Sequence, residues 1–299
     1  LGVSVKADAQ PDTPQTQTYY VSSSSGDDDN DGLSENAPFA TISKVNGLDL
    51  NPGDQVLFKC GDTWRVEQLV LRWSGTASVP IMFSSYPAGC SNKPILSGSR
   101  VVTGWSLYST LSTTEIYETS LPPDDFPLGI NQLFRDGQRL TLGRWPNLDV
   151  PDGGYSFVDE HYDGKLISDY ELPGGIDWSG ALVHLKNMRD SVINRQVQAS
   201  DRISLTLKKK ITCVFSNEGD CVGWGYFINN HLATLDQDGE WYYDPAGRKL
   251  YLVSAAGMPQ DIEASVIFDD SLPVRHGGIL LSDGSATAYV ILENLAVKN

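Results

Sequence analysis

The sequence predicts an all-β chain of short, repeated strands, and three observations carry that prediction. Brief apolar runs such as "QVLFKCG", "QLVLRW", "PIMFSSY" and "KPILSGS" recur with Gly, Pro, Ser or Asn between them, which is the punctuation of strands joined by turns. The 28 glycines and 16 prolines are spread along the 299 residues rather than gathered in one linker. The runs return every twenty-odd residues, a spacing that suggests a parallel β-solenoid, in which each turn buries its face only by stacking on the next.

In chain order, residues 1–18 read as an extended arm and linker. Leu1, Val3, Val5, Ala7 and Ala9 alternate with Gly2, Ser4, Lys6 and Asp8, the period of a strand. Such an arm pairs either with its own chain or with a neighbour's sheet edge. Ala7-Asp8-Ala9 also resembles a signal-peptidase site. Tyr19-Tyr20-Val21 then opens a first body over 19–100, with the acidic loop "SGDDDNDGLSENAP" after it. Phe39, Ile42, Val45 and Leu48 follow at helical spacing, ended by Gly47 and the turn Asn51-Pro52-Gly53-Asp54. Residues 101–262 form the next stretch. Within it, "GEWYYDPAGRKLYLV" predicts a hairpin with strands at 240–243 and 249–253 about a turn at 244–247. Residues 263–299 read as a return to the first body, with Gly278-Ile279-Leu280-Leu281 and Tyr289-Val290-Ile291-Leu292 as strands and an open apolar end. An open end of this kind is a template for association.

Composition narrows the partners. The net charge of −16 disfavours nucleic acid and anionic membranes, which need a positive face. Lys208-Lys209-Lys210 and the arginines at 135, 139 and 144 are candidates for a local basic patch, against the plainer reading of solvated strand faces. No apolar run reaches the ~18 residues of a membrane span. The four cysteines, Cys60, Cys90, Cys213 and Cys221, contain no C-x-x-C and read as two disulfides made in an oxidising, secreted setting. Four cysteines allow three pairings, and the sequence does not choose among them.

Residues 19–64, "YYVSSSSGDDDNDGLSENAPFATISKVNGLDLNPGDQVLFKCGDTW", resemble the N-terminal cap of right-handed parallel β-helix proteins of the pectate-lyase-like superfamily. The elements "DGLS", "PFATI" and "PGD" before an apolar strand carry the likeness. "GINQLFRDGQRLTLGRWPN" (129–147) and "GWGYFINNHLATLDQDGEWYYDPAGRKLYL" (223–252) resemble the β-rich insert of β-helix glycoside hydrolases. The resemblance implies the first turns of a parallel β-helix, interrupted by that insert as a β-rich, sandwich- or barrel-like domain over 101–262, and resumed near residue 263. It implies a polysaccharide substrate and a glycosidase or lyase reaction. The family's catalytic residues would lie on turns beyond Asn299, so none is carried over.

Two sets of residues are candidates for chemistry. Asp27, Asp29, Asp31 and Gly32 give D-x-D-x-D-G, the opening of a calcium loop; the twelfth position is Pro38 rather than Glu, and the plainer reading is a solvated acidic turn capping the following helix. Arg144, Trp145, Trp224, Tyr226, His231 and Trp241 are candidates for carbohydrate contact, since aromatic faces stack on sugar rings and Arg or His beside them donates hydrogen bonds. Their alternative is packing, because neighbouring strand residues point to opposite faces. His276 is a further lone histidine. No G-x-S-x-G, P-loop, G-x-G-x-x-G or H-E-x-x-H occurs. Three functions follow: a portion of a secreted glycosidase or lyase, a self-assembling filament, tube or surface layer joined by the arm and a subunit or second polypeptide stacked on the C-terminal strands, and a carbohydrate-binding module.

Overall fold

The structure, a computed structural model, describes residues 16–111, 114–214, 220–267, 278–281 and 287–298. The arm read at 1–18 therefore lies outside the described residues up to residue 15, as does His276. The chain divides into two compact units, one of residues 1–100 with 268–299 and one of 101–267.

In the first unit, alternation in the sequence becomes alternation of burial. Along Gln55–Lys59, Val56 and Phe58 point inward while Gln55, Leu57 and Lys59 do not, as a strand requires. Thr18–Val21, Gln55–Lys59, Ile81–Tyr86 and Val290–Leu292 pair in that order, all parallel. Thr63–Arg65, Ile95–Ser97 and Ala296–Lys298 form a second parallel sheet, and Leu69–Leu71 with Ile279–Leu281 a third. The helix expected from Phe39, Ile42, Val45 and Leu48 spans Ile42–Asn46 and buries Ile42 and Val45. Thr41 caps it, accepting from the Lys44 N–H at 3.0 Å. Phe58 meets Trp64 edge-on at 5.1 Å in the core these elements share. The Cys60–Cys90 disulfide closes a loop in this unit.

The second unit holds two larger sheets. Ser106–Leu111, Thr114–Ser120, Lys249–Val253 and Glu240–Asp244 pair antiparallel in series, and Thr141–Leu142 adds parallel to Glu240–Asp244. The expected hairpin is present, with Trp241 opposite Leu252 and Asp244 opposite Lys249. The eight-stranded sheet is antiparallel throughout and centres on Gly225–Asn229, Leu182–Met188 and Ser191–Asp201. Its buried side carries Val183, Leu185, Tyr226 and Ile228 around Trp178. The Cys213–Cys221 disulfide adjoins this core.

The chain is all-β, but the expected right-handed parallel β-helix of the pectate-lyase-like superfamily is not what the strands build. Among the described residues they fall into six separate sheets, and the two largest are antiparallel except for one short parallel pair. The physical reason is local. Tight turns such as Asp244–Gly247, where Asp244 accepts from the Ala246 and Gly247 N–H groups, return the chain beside the strand it has just left. Hairpins therefore set the pairing in the 101–267 unit, while the parallel strands of the other unit are divided among three separate short sheets.

Among the described residues, Ile279–Leu281, Val290–Leu292 and Ala296–Lys298 are each the outer strand of their sheet. Leu281, Ile291, Leu292 and Val297 on them are exposed.

Candidate functional site

In the 101–267 unit, the short strand Arg144–Trp145 pairs antiparallel with Gly225–Asn229, setting Arg144 opposite Asn229 and Trp145 opposite Ile228. Strand alternation then separates the two. Trp145 packs toward the core, its ring 6.3 Å from Trp178 and 6.2 Å from Tyr226. Arg144 takes the other face with Phe227, which lies opposite His184 of Leu182–Met188.

That outer face is a run of flat groups. The His184 and Phe227 rings stack at 4.4 Å and 4°. The Arg144 guanidinium sits 4.0 Å from the Phe227 centroid and 5.9 Å from that of Tyr155, and Lys186 Nζ lies 3.9 Å from the Tyr155 centroid. Cations over ring faces are held by the ring quadrupole. Arg144 also donates from Nε to the Pro146 carbonyl at 3.0 Å and from its terminal nitrogen to the Gly154 carbonyl. Burial lowers the Arg144 pKa from its high ordinary value, and the guanidinium remains charged. His184 Nε2 and Asn229 Oδ1 are 2.9 Å apart. Burial pushes the His184 pKa down, against the pull of its Asn229 and Asn194 hydrogen bonds. The neutral ring with its proton on Nε2 donates to Asn229 and leaves the Asn229 amide nitrogen available.

Beside this face lies a cleft of about 720 Å³, lined by Tyr242 and Tyr243 of the hairpin together with Leu128, Ile130, Leu142 and Leu182. Asn131, Gln196 and Asn230 add polar groups. A second hollow of about 320 Å³ is lined by Arg139, Arg144, Phe227 and Asn229, and Leu142 lines both. The size and the mixture of aromatic surface with a few polar groups suit a small organic ligand. Asp244 is the one carboxylate on either lining, and its oxygens accept from the Ala246 and Gly247 N–H groups. Among the described residues, this surface carries no second carboxyl group to make the pair that glycoside hydrolysis needs.

Glu240 is the support behind the strand that carries Arg144. It accepts from the Asp236 and Gln237 N–H groups at 3.0 Å each and from the Arg144 N–H at 3.3 Å. Burial pushes its pKa up to about 7, although the three backbone donors favour the ionised form.

The structure brings together only part of the expected site. Of the aromatic candidates, Trp241 borders the cleft and is otherwise core, its Nε1 donating to the Leu140 carbonyl at 3.4 Å. Tyr226 is fully buried; its hydroxyl donates to Asp169 Oδ2 at 2.7 Å, where the Ser156 hydroxyl also donates at 2.6 Å. Burial raises the Tyr226 pKa well above its usual value, so it stays a donor. Trp224 packs half-buried against the same core. His231 caps the short 3-10 turn Leu232–Thr234, its Nδ1 accepting from the Ala233 N–H at 3.2 Å. Burial lowers its pKa. His184, Phe227, Tyr155 and Lys186 were not read from the sequence; the alternation of Leu182, His184 and Lys186 with Val183 and Leu185 is the signal that points to them.

In the acidic loop, two of the three candidate aspartates bond to nearby backbone. Asp27 turns Oδ1 onto the Asp29 N–H at 3.0 Å and Asp31 turns Oδ1 onto the Leu33 N–H at 2.9 Å. Among the described residues, no group of three or more His, Cys, Asp or Glu side chains is gathered for a metal. Asp28, the aspartate outside the D-x-D-x-D pattern, ties the loop to the helix by accepting from the Ala40 and Thr41 N–H groups and the Thr41 hydroxyl.

No protein-family profile matches the chain. Over 92 residues it is 41% identical to a lacto-N-biosidase of Bifidobacterium longum subsp. longum, a match covering 30% of this chain and 6% of that protein. A solved glycoside hydrolase superposes on 94% of the chain with a TM-score of 0.65 at 18% identity, a likeness of fold. The chain spans half the length of that structure. The GH136 lacto-N-biosidase of Eubacterium ramulus is 41% identical over 28% of the chain, covering 14% of that protein with a TM-score of 0.25. The chain is thus similar, over part of its length, to enzymes that hydrolyse glycosidic bonds.

Proposed function

We propose that this chain is the glycan-recognition portion of an extracellular glycoside hydrolase acting on lacto-N-biose-type glycans, with the catalytic carboxylates supplied by residues outside it. The observation that carries the reading is the 92-residue segment 41% identical to a lacto-N-biosidase. The aromatic cleft supports it: Tyr242 and Tyr243 line it together with the amide side chains of Asn131, Gln196 and Asn230 and one carboxylate. Two disulfides fit a secreted protein.

Calorimetric titration with a lacto-N-biose-terminated oligosaccharide tests this. Binding is expected, and Tyr243→Ala is expected to weaken it by about fivefold to tenfold, the scale of one aromatic contact. Release of disaccharide from the same substrate by this chain alone would show instead that it carries the catalytic groups.

A further inference from the structure

The smaller hollow is positively charged in a chain whose net charge is −16. Arg139 and Arg144 line it, no carboxylate does, and Lys186 extends the charge across Tyr155. Arg135 pairs with Asp238 and Lys249 with Glu118; among the described residues, no ion pair reaches Arg139, Arg144 or Lys186. Arg144 is held in place by two backbone carbonyls and the Phe227 face rather than by an acid. A guanidinium fixed this way keeps N–H groups for an incoming anion and loses little freedom on binding it. The Asn229 amide nitrogen adds a neutral donor beside it. Leu142 lines both the hollow and the aromatic cleft and so sets the two beside one another.

We propose that this hollow takes the carboxylate of an acidic sugar, a uronic or sialic acid unit, carried on a glycan whose neutral part occupies the cleft. Arg139 and Arg144 pair with the carboxylate, Phe227 offers an apolar face to the ring, and Lys186 adds to the field. The proposal rests on the glycan-binding reading above, and the experiment separates the failure of one from that of the other.

Four probes are titrated into the whole chain: neutral lacto-N-biose, its sialylated form, a galacturonate-terminated oligosaccharide, and a sulfated form of the neutral disaccharide. Each is measured at roughly 0.05 M and 0.5 M salt, which spans strong and weak screening. At least one carboxylated probe is expected to bind about tenfold tighter than the neutral one. The margin should shrink at high salt and collapse in R139Q, whose folding is checked by its thermal melt. Preference for the sialylated or the galacturonate probe tells which acid fits. Equal binding of neutral and carboxylated probes overturns the proposal, as does a preference that survives R139Q or one shared equally by the sulfated probe. Binding of a carboxylated probe without the neutral one, lost in R139Q, upholds the charged hollow and removes the neutral cleft. Binding of no probe overturns both.

Discussion

Glu240 shows how a single side chain joins loop, strand and site. It holds the Asp236 and Gln237 backbone on one side and the strand of Arg144 on the other. Its pKa is raised from 4.5 to about 7 in the folded protein, so the folded state binds the proton more tightly than the unfolded one. Its stabilising contribution is full below 4.5 and is lost as the pH rises through about 7. Thermal melts across this window are expected to show a fall in stability with rising pH that Glu240→Gln flattens; an unchanged slope would assign the titration to another group. Elsewhere, residue type alone does not report which partner a side chain takes. The alternate aspartates 27, 29 and 31 look like cation ligands, yet Asp28 makes the long-range contacts. Trp145, Tyr226 and Trp241 look like sugar platforms, yet alternation within their strands turns them mainly inward.

Elements were legible where their signal is local. The helix Ile42–Asn46 and the hairpin of Glu240–Asp244 with Lys249–Val253 follow from spacing and turn residues a few positions apart. Thr41 both caps the helix and bonds to Asp28, so Thr41→Ala is expected to cost about 1–2 kcal/mol in chemical denaturation. A loss below the error of the measurement would mean that packing of Ile42 and Val45 alone holds the helix. The disulfides connect elements that the sequence left open to three pairings. Cys60–Cys90 spans 30 residues and Cys213–Cys221 spans 8. On loop-closure entropy, removing the first pair as serines costs about 3–4 kcal/mol and the second about 2–3 kcal/mol. The reverse order in denaturant titrations would show that strain or unfolded-state structure, not loop length, governs these bridges.

At the scale of the molecule, an all-β chain was legible and its sheet arrangement was not. Recurring apolar runs state that strands exist, but a run of three to six residues does not say which strand it meets or in which direction. Antiparallel partners in the 101–267 unit decide the architecture there, and they also assemble the site. His184 meets Phe227 across 43 positions, and Arg144 meets Asn229 across 85. No local pattern reports such pairings, so the face they form was hidden while single aromatics stood out. The proposed glycan recognition belongs to the cleft between the Tyr242–Tyr243 hairpin and Leu142. Mapping by nuclear magnetic resonance, with a lacto-N-biose-terminated glycan titrated into the chain, tests that most directly. Shifts concentrated at Tyr242, Tyr243, Leu142 and Leu182 are expected; shifts confined to residues 16–100, or none at saturating glycan, would contradict the proposal.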